Sequence, residues 1–417
     1  MRRSQAAADD WFQSMRLAVL GGGLQGACVA MSLAEAGHEV DLYDENDRFL
    51  TQASVRNEGK IHLGYVYAHD RTLQTARLMM KGAAAFSHLM RRWIGSDIDK
   101  IPVSSPYYYA VRKDSLLTIE EFETHLHACC AIAKEEHGGS VEYFGSNYRD
   151  CPVRIMAHDQ IYDGDTIVAA FKTSEISIDP EVLAAVVAAR LMSDPKIHCI
   201  MKATILAVSP LEDGADVFFT ISGSKFCERY DYVVNALWNG RLAVDATAGI
   251  EPIRPWSFRF KHYVRARARG ALSDLPSTTI VLGPYGDITN FGNGELYLSW
   301  YPAAMTRMST MLAVPDWPRE LDELDSRLMF DAIQKGLSAN VPALTDCAEH
   351  IESYRVSGAV IFAWGASDIN DPESGLHERA SIGPQSFGRY QSINTGKLTM
   401  APLFGKLAAD RILSTRA

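Results

Sequence analysis

Residues 16–26 of this chain read RLAVLGGGLQG, and residues 39–45 read EVDLYDE. The first five residues form an apolar run that is typical of a buried strand, and the second segment is a further strand pattern that contains an acid near its end. Between the two strands stand the helical pattern ACVAMSLAEA and, before it, three glycines with G-x-G-x-x-G spacing: Gly21, Gly23 and Gly26. A strand, a glycine turn, a helix, a strand and an acid in this order predict a dinucleotide-binding βαβ unit.

The parts of this unit have separate physical roles. The glycines permit a tight bend, a close approach of the backbone to a pyrophosphate, and packing of the helix on the strand. The start of the helix, at Leu24 and Gln25, offers free N–H groups and the positive end of a dipole to the diphosphate. Asp44 can accept hydrogen bonds from the ribose hydroxyls. We therefore predict a bound adenine dinucleotide, and a glycine-rich turn of another α/β protein is the alternative.

The composition is that of a soluble globular protein with more than one domain. The chain has 417 residues, of which 47% are hydrophobic and 22% charged. The net charge of −10 argues against nucleic acid as a partner. No stretch approaches the roughly 20 apolar residues of a membrane-spanning helix, and residues 1–14 lack the apolar region of a signal peptide. These features predict a cytoplasmic protein without an integral membrane segment, in which residues 1–14 are an N-terminal extension.

The cysteines and histidines do not form the patterns of disulfide or metal frameworks. The seven cysteines are scattered and odd in number, which is typical of reduced thiols. His125 and His127 lack a third clustered ligand. We therefore predict no metal site.

Strands of the nucleotide-binding type return late in the chain. The segment SIDP predicts a helix over residues 181–192 that Asp179 caps, and residues 232–236 have the pattern of a buried parallel strand. Strand signals also cover residues 197–208, and strands with alternating polarity occupy residues 256–301. A nucleotide domain that is interrupted by an inserted sheet is typical of flavoproteins.

Four segments of the chain resemble the D-amino-acid-oxidase-like superfamily of FAD-dependent oxidoreductases. The first is the glycine fingerprint with its acid. The second is ASVRNEGKIHLGYVY at residues 53–67, which fills every fixed position of the N-x-G-x-I-H-x-G-x-x-Y loop of L-2-hydroxyglutarate oxidases. The third comprises SIDPEVL, KATILAVSP and YDYVVNALWNG. The fourth is INTGKLTMAPLFGKLAAD at residues 393–410, which is similar to the G-G-K-L-T-T segment of flavin glycerol-3-phosphate dehydrogenases.

The chain departs from the superfamily's patterns at two places. Ala236, Leu237 and Trp238 stand where an AAG sequence is usual, and Thr395 precedes Gly396 where a double glycine is usual. Both departures fall near the expected cofactor. They bear on which member of the superfamily the chain resembles and not on the identity of the cofactor.

The resemblance implies FAD as the cofactor and a small-molecule substrate. The electron acceptor, which could be oxygen, a quinone or a protein, and the oligomeric state stay open. Beyond the fingerprint residues, the resemblance implies cofactor contacts at Ser54, Asn57, Gly59, Ile61, Ile205, Asn235, Ala236, Gly396, Lys397, Leu398 and Thr399.

We therefore predict an α/β protein with a Rossmann-type FAD-binding domain built from separated segments and an inserted antiparallel-sheet substrate domain. Residues 15–100, 175–250 and 355–417 are assigned to the FAD-binding domain, and residues 101–174 and 251–354 to the substrate domain.

His62 is the predicted catalytic base. The resemblance places its loop beside the flavin, and oxidation of a CH–OH group requires removal of the hydroxyl proton. A histidine, with an ordinary pKa of about 6.5, suits this step near neutral pH. The alternatives are contact with flavin or substrate without proton transfer, and a structural role.

Lys397 and the start of the helix near Thr399 are predicted to stabilise reduced flavin. Reduced flavin carries negative charge, which an ammonium group and a helix N-terminus would favour. The alternative is a surface lysine beside a C-terminal helix.

Substrate contacts are predicted in the middle of the chain. Arg259, Lys261 and Arg265 share one face of a strand and could hold a carboxylate or phosphate, although a solvated face explains them equally well. Tyr297, Trp300 and Tyr301 are candidates for the pocket wall or for the core. His377, Arg379 and Arg389 are weaker candidates.

The preferred function is hydride abstraction from a CH–OH carbon of a small, polar, acidic substrate. Oxidation of a CH–NH bond of an amino acid or amine is the alternative within enzymes. A FAD-binding module without turnover is the alternative from another class.

Overall fold

The computed structural model describes residues 15–137, 141–144, 146–148, 151–156, 158–345, 347–367, 369, 371 and 373–415. The N-terminal extension predicted at residues 1–14 lies outside the described residues. The helices are α1 (Leu24–Glu35), α2 (Gln74–Ile94), α3 (Ile119–His137), α4 (Pro180–Ser193), α5 (Arg241–Thr247), α6 (Tyr301–Ala304), α7 (Glu323–Ser338) and α8 (Ala401–Ser414).

The strands are β1 (Arg16–Leu20), β2 (Glu39–Tyr43), β3 (Lys60–Ile61), β4 (Tyr108–Arg112), β5 (Val141–Tyr143), β6 (Ser146–Tyr148), β7 (Val153–Arg154), β8 (Ile167–Lys172), β9 (Ile176–Ser177), β10 (Ile197–Ile200), β11 (Ala203–Pro210), β12 (Ala215–Ile221), β13 (Ser224–Tyr230), β14 (Tyr232–Asn235), β15 (Trp256–Ala268), β16 (Thr278–Val281), β17 (Gly286–Asn290), β18 (Glu295–Trp300), β19 (Met305–Ser309), β20 (Ile351–Trp364), β21 (Gly383–Phe387) and β22 (Tyr390–Asn394).

A six-stranded sheet with the order β10-β2-β1-β14-β22-β21 forms the nucleotide-binding part of the molecule. Its first five strands are parallel, and β21 runs antiparallel to β22. Side chains of β1 alternate between two cores, because successive residues of a strand point to opposite faces. Leu17 and Val19 face the core with the helices α1 and α8, whereas Ala18 and Leu20 face the core with the sheet β11-β12-β13. The predicted Rossmann-type assembly from separated segments is confirmed.

Local signals at two helix ends agree with the structure. Asp179 caps α4 by accepting hydrogen bonds from the backbone N–H groups of Glu181 and Val182. Gly37 follows α1 with a φ of +103°, a left-handed conformation that glycine adopts readily.

The strand signals over residues 197–208 belong to two strands in two different sheets. β10 extends the parallel sheet, and β11 begins the antiparallel sheet with β12 and β13. Lys202, between them, has a φ of +56°, so the chain turns where the apolar pattern continues. Hydrophobic alternation carries no information on this turn.

A nine-stranded, mostly antiparallel sheet forms the second part of the molecule. Its order is β19-β15-β18-β17-β16-β4-β8-β7, with β20 on the other side of β15, and β16 and β4 are parallel. Helix α7 packs on this sheet through Phe330, Ile333 and Leu337. β20 pairs with β15 along its length, so the boundary predicted at residue 355 falls inside this strand. We propose that the second insertion extends to residue 364.

A two-stranded ladder of β3 and β9 joins the two parts of the chain near the site. Lys60 pairs with Ser177, and Ile61 with Ile176. The Lys60 side chain donates to Thr279 and Asp287 of the larger sheet, so the loop that follows β2 contacts that sheet. Within the described residues, no helix has the length and apolar character to span a membrane.

Candidate active site

A cavity of about 520 Å³ runs from the glycine turn after β1 to the larger sheet. Seventeen residues predicted to act in catalysis or in cofactor or substrate binding line the two ends of this cavity, and the substrate candidates His377 and Arg379 line it as well. At the nucleotide end lie Gly21, Gly23, Leu24, Gln25, Asp44, Ser54, Asn57, Ile205 and Ala236, and at the other end lie His62, Gly396, Lys397, Leu398, Arg259, Lys261, Tyr297 and Tyr301. Segments that are far apart in sequence therefore meet around one space.

The glycine turn is too tightly packed to accept side chains. A Cβ atom on Gly21 would lie 2.7 Å from the carbonyl oxygen of Ala236, and one on Gly26 would lie 1.9 Å from the carbonyl oxygen of Gly21. The backbone N–H of Leu24 donates to Ser54 Oγ at 2.9 Å. The turn therefore presents backbone to the cavity, as a diphosphate site requires.

Asp44 lies at the end of β2 with its carboxylate held in place. Its Oδ2 accepts the backbone N–H of Gly22 at 3.0 Å, and its Oδ1 accepts the backbone N–H of Asn46 at 2.8 Å. Burial raises the pKa of this carboxyl, and the hydrogen bonds from Asn46 and Gly22 oppose the rise. The position and the fixed orientation fit the predicted contact with ribose hydroxyls.

Several buried polar atoms around the cavity have no hydrogen-bond partner among the described residues. They are Gln25 Oε1, Thr51 Oγ1, Tyr67 Oη, Asn239 Oδ1 and Arg259 Nε. Buried polar groups are rarely left unpaired, because each unmade hydrogen bond costs about 1–3 kcal/mol. Their distribution along the whole cavity fits a long polar ligand with a nucleotide at one end.

His62 is buried at the junction between the two sheets, and only 3% of it is exposed. Its backbone N–H donates to Thr399 Oγ1 at 2.9 Å, and its ring lies edge-on to Tyr67, with 5.4 Å between ring centroids. Burial lowers the pKa of His62 well below its ordinary range, and the cations Lys397, Lys60 and Arg379 lower it further. The imidazole is therefore neutral at neutral pH and has a free lone pair.

Lys397 lies after β22, just before the turn that leads into α8. Burial lowers the pKa of its ammonium to about 8, while the nearby carboxylate of Glu58 partly opposes this effect. Its ammonium forms no salt bridge with a described residue. A half-buried ammonium without a counter-ion fits a ligand that carries negative charge.

Cationic side chains dominate the wall formed by the larger sheet. Arg259 is 4% exposed and donates to the hydroxyl of Tyr301 at 2.7 Å. Arg379 lies beside them, and its burial together with the charge of Arg259 lowers its pKa to about 10. Lys261 completes this group, with its ammonium 5.5 Å from the ring centroid of Tyr301. We call Arg259, Lys261 and Arg379 the cationic wall.

Five predicted cofactor residues do not line the cavity but support the residues that do. Gly26 and Gly59 are sites of close packing, Ile61 lies in the β3–β9 ladder, and Thr399 accepts the His62 N–H and donates to the carbonyl of Lys60 at 3.1 Å. Asn235 is fully buried, and its amide donates to the hydroxyl of Tyr390 at 2.8 Å and to Asp245 Oδ1 at 2.9 Å.

Three residues predicted to contact the substrate do not line the cavity. Trp300 stacks on Tyr285 in the core of the larger sheet, with ring centroids 6.3 Å apart. Arg265 binds Asp179 at 2.6 Å and Glu295 at 3.3 Å, so its charge is already paired. Arg389 does not line the cavity, whereas His377 does.

Sequence reasoning missed several residues at the cavity. Thr51, Lys60, Tyr67, His69 and Asn239 line it without having been assigned a role. Lys60 and Tyr67 stand within the loop that carries the resemblance, so the loop itself was the available signal. The others stand outside the α-helices and strands, where no periodic pattern marks the direction of a side chain.

The family model for FAD-dependent oxidoreductases matches residues 16–411, so this chain belongs to that family. The family depends on FAD, and the residues lining the cavity fit this cofactor. Gly21, Gly23, Leu24 and Asp44 would hold its nucleotide half, and Lys397 would lie near its redox-active half.

Solved structures with the same fold cover nearly the whole chain. Glycine oxidase from Geobacillus kaustophilus is 14% identical, covering 96% of this chain and 95% of that one, with a TM-score of 0.67. L-α-glycerophosphate oxidase from Mycoplasma pneumoniae, solved with FAD bound, is 13% identical, covering 97% and 95%, with a TM-score of 0.65. At these identities the likeness shows the fold alone.

A short stretch also matches a curated relative. The FAD-dependent monooxygenase FPY4 of Fusarium mangiferae is 36% identical over 62 residues, which is 15% of this chain and 17% of that protein. Because the match covers so little of the relative, its activity is not transferred.

Proposed function

We propose that this FAD-dependent oxidoreductase removes a hydride from the CH–OH carbon of a small acidic substrate. The observation that carries the proposal is the cationic wall of Arg259, Lys261 and Arg379. None of these three side chains forms a salt bridge with a described residue, and two of them are almost fully buried. Buried cations without counter-ions are unfavourable, and an anionic substrate group would pair with them.

His62 is the proposed base for the substrate hydroxyl. The cations that disfavour its protonated form also favour an alkoxide, so they lower the pKa of a bound hydroxyl as well. The proton moves from the hydroxyl to the imidazole, and the electron pair left on oxygen forms the carbonyl as the hydride leaves carbon. FAD, when bound, supplies the acceptor for this hydride.

The test is an anaerobic absorbance titration of the holoenzyme with paired substrates. Each 2-hydroxy acid is compared with its own amide, which keeps the hydroxyl but lacks the negative charge. We expect the acid to bleach the flavin band and the amide to do so only at much higher concentration. Equal bleaching by both members of a pair would contradict the role of the cationic wall.

The variant Arg259→Met tests the same role within the protein. Loss of a charge-assisted hydrogen bond removes about 1.5–3 kcal/mol of binding, so half-maximal bleaching should need about 10–100 times more acid. The amide should respond as it does with the wild-type enzyme. Arg267→Met is the matched control, because it makes the same change on β15 at an exposed position outside the cavity.

Oxidation of a CH–NH bond is the second candidate, and the same wall favours it. Nearby positive charges lower the pKa of a bound amine and so favour its neutral form, which can lose a hydride without a protein base. The depressed pKa of His62 agrees with a site that needs no strong base. Bleaching by amino acids with none by hydroxy acids would select this candidate.

A further inference from the structure

A fully buried carboxylate, Glu175, lies behind His62 on the side away from the cavity. In the antiparallel ladder Lys60 faces Ser177 and Ile61 faces Ile176, so the same register continued by one residue brings His62 opposite Glu175. Glu175 is 0% exposed and does not line the cavity. The β3–β9 ladder therefore positions Glu175, although Glu175 does not line the cavity.

Both oxygens of Glu175 are held by other groups. Oε2 accepts the backbone N–H of Leu63 at 2.6 Å, and Oε1 accepts the hydroxyl of Tyr109. His62 Nδ1 lies 3.9 Å from Oε1 and has no hydrogen-bond partner among the described residues. The carboxylate is thus fixed and still has acceptor capacity, and a small rotation of the imidazole would bring Nδ1 within hydrogen-bond distance.

We propose that Glu175 is a positioning residue that accepts the Nδ1–H of His62 and leaves Nε2 as the nitrogen that takes the substrate proton. The inference rests on the proposed function, in which His62 is the base. In the reaction the proton passes from the substrate hydroxyl to Nε2, and Glu175 stays ionised throughout. Its negative charge offsets the positive charge that His62 acquires.

A facing carboxylate would offset the cations that surround His62. Lys60 on β3, Arg379 before β21 and Lys397 after β22 all oppose a positive charge on His62, and Tyr67 faces its ring with a neutral hydroxyl. Burial raises the pKa of Glu175 above its ordinary range, while Lys60, the Tyr109 hydroxyl and the Leu63 N–H oppose the rise. These three groups favour the ionised carboxylate.

Nitrogen-15 NMR of histidine-labelled holoenzyme tests the inference directly. The His62 signals are identified by their absence from the variant His62→Gln. In the wild-type enzyme at a pH where His62 is neutral, we expect the proton to reside on Nδ1. A proton on Nε2 instead would overturn the inference, and this result needs no variant of Glu175 to fold.

The variant Glu175→Gln tests the charge at nearly constant shape. We expect the pKa of His62 to fall by about one unit or more, because a facing negative charge is lost. An unchanged pKa would overturn the inference. Asp70→Asn is the control: Asp70 is also buried and accepts backbone N–H groups, from Thr72 and Thr75, but it does not face His62.

The role of His62 as base is tested separately by flavin reduction in the variant His62→Ala. If the flavin of this variant is reduced at the wild-type rate, the proposed function is contradicted, whatever the tautomer of His62 in the wild-type enzyme. Slow reduction together with a proton on Nε2 of the wild-type residue would leave the base in place and remove Glu175 from the mechanism.

Discussion

Two lysines at the same cavity have opposite electrostatic environments. Lys60 Nζ binds Asp287 Oδ1 at 2.9 Å and Thr279 Oγ1 at 2.5 Å, and Asp287 raises its pKa although burial alone would lower it. Lys397 has no such partner, and burial lowers its pKa to about 8. At pH 8 one ammonium is fully charged, while the other is partly a neutral, nucleophilic amine.

This difference predicts selective chemical labelling. In apoprotein treated with an amine-acylating reagent, we expect Lys397 to react with a rate that rises through about pH 8, because the neutral amine is the reactive form. Lys60 should not react in the folded protein. FAD should protect Lys397, and peptide mass spectrometry would measure both sites. Equal labelling of Lys397 with and without FAD would contradict its placement at the cofactor.

The position of helix α1 against β1 depends on glycines that have no side chain. Helix α1 approaches β1 so closely that a Cβ on Gly26 would meet the carbonyl oxygen of Gly21 at 1.9 Å. Atoms cannot approach to this distance, so any side chain here must move the helix away from the strand. The start of α1 and its N–H groups would then shift away from the cavity.

The variant Gly26→Ala should therefore lose FAD before it loses its fold. Overpacking of this kind costs about 1–3 kcal/mol, so we expect a lower melting temperature and FAD affinity that falls at least about tenfold. Fluorescence titration of the apoprotein with FAD would measure the affinity. Gly164→Ala is the control, since its added Cβ would have no atom closer than 3.9 Å. Wild-type affinity in Gly26→Ala would contradict the argument.

The sequence predicted those elements whose signals are local. The strand, turn, helix and acid of the fingerprint lie within 30 residues, and the role of each part requires particular residue types. Alternation along β15 correctly predicted that Arg259 and Arg265 share a face, but it carried no information on what packs against that face. Arg259 opens on the cavity, whereas Arg265 meets Asp179. The pairing of His62 with Glu175 depends on two-residue strands, which are too short for a periodic pattern.

At the scale of the whole molecule, the ion pair of buried Lys60 with partly buried Asp287 connects the two parts of the fold. Lys60 belongs to the loop that follows the nucleotide-binding strands, and Asp287 lies on β17 of the larger sheet. The cavity lies between these parts and includes both residues. This ion pair joins the loop that carries His62 to the sheet that carries Arg259 and Lys261 of the cationic wall.

Removal of one member of this pair should destabilise the holoenzyme strongly. Asp287→Asn leaves a buried, uncompensated ammonium, which costs about 3–5 kcal/mol in comparable cases. The double variant Lys60→Met with Asp287→Asn should regain most of this loss, because the ammonium that lost its partner is removed as well. Thermal unfolding would measure the stability of the wild-type protein, the single variant and the double variant. Asp97→Asn is the control, since it removes an exposed pair with Lys100 that contributes at most about 1 kcal/mol.

The loss of stability in Asp287→Asn should also depend on pH. The structure determines whether this loss grows or shrinks as the pH falls. Burial alone would raise the pKa of Asp287, but the charge of Lys60 lowers it from its ordinary value of 3.8 to about 2. A carboxyl group whose pKa is lower in the folded than in the unfolded state stabilises the fold at pH values above its unfolded-state pKa. This stabilisation is lost as the pH falls towards the folded-state pKa. The stability difference between wild type and variant should therefore be constant from about pH 5 to pH 8 and shrink below about pH 4. A difference that stays constant down to pH 3 would mean that Asp287 and Lys60 do not act as a charged pair.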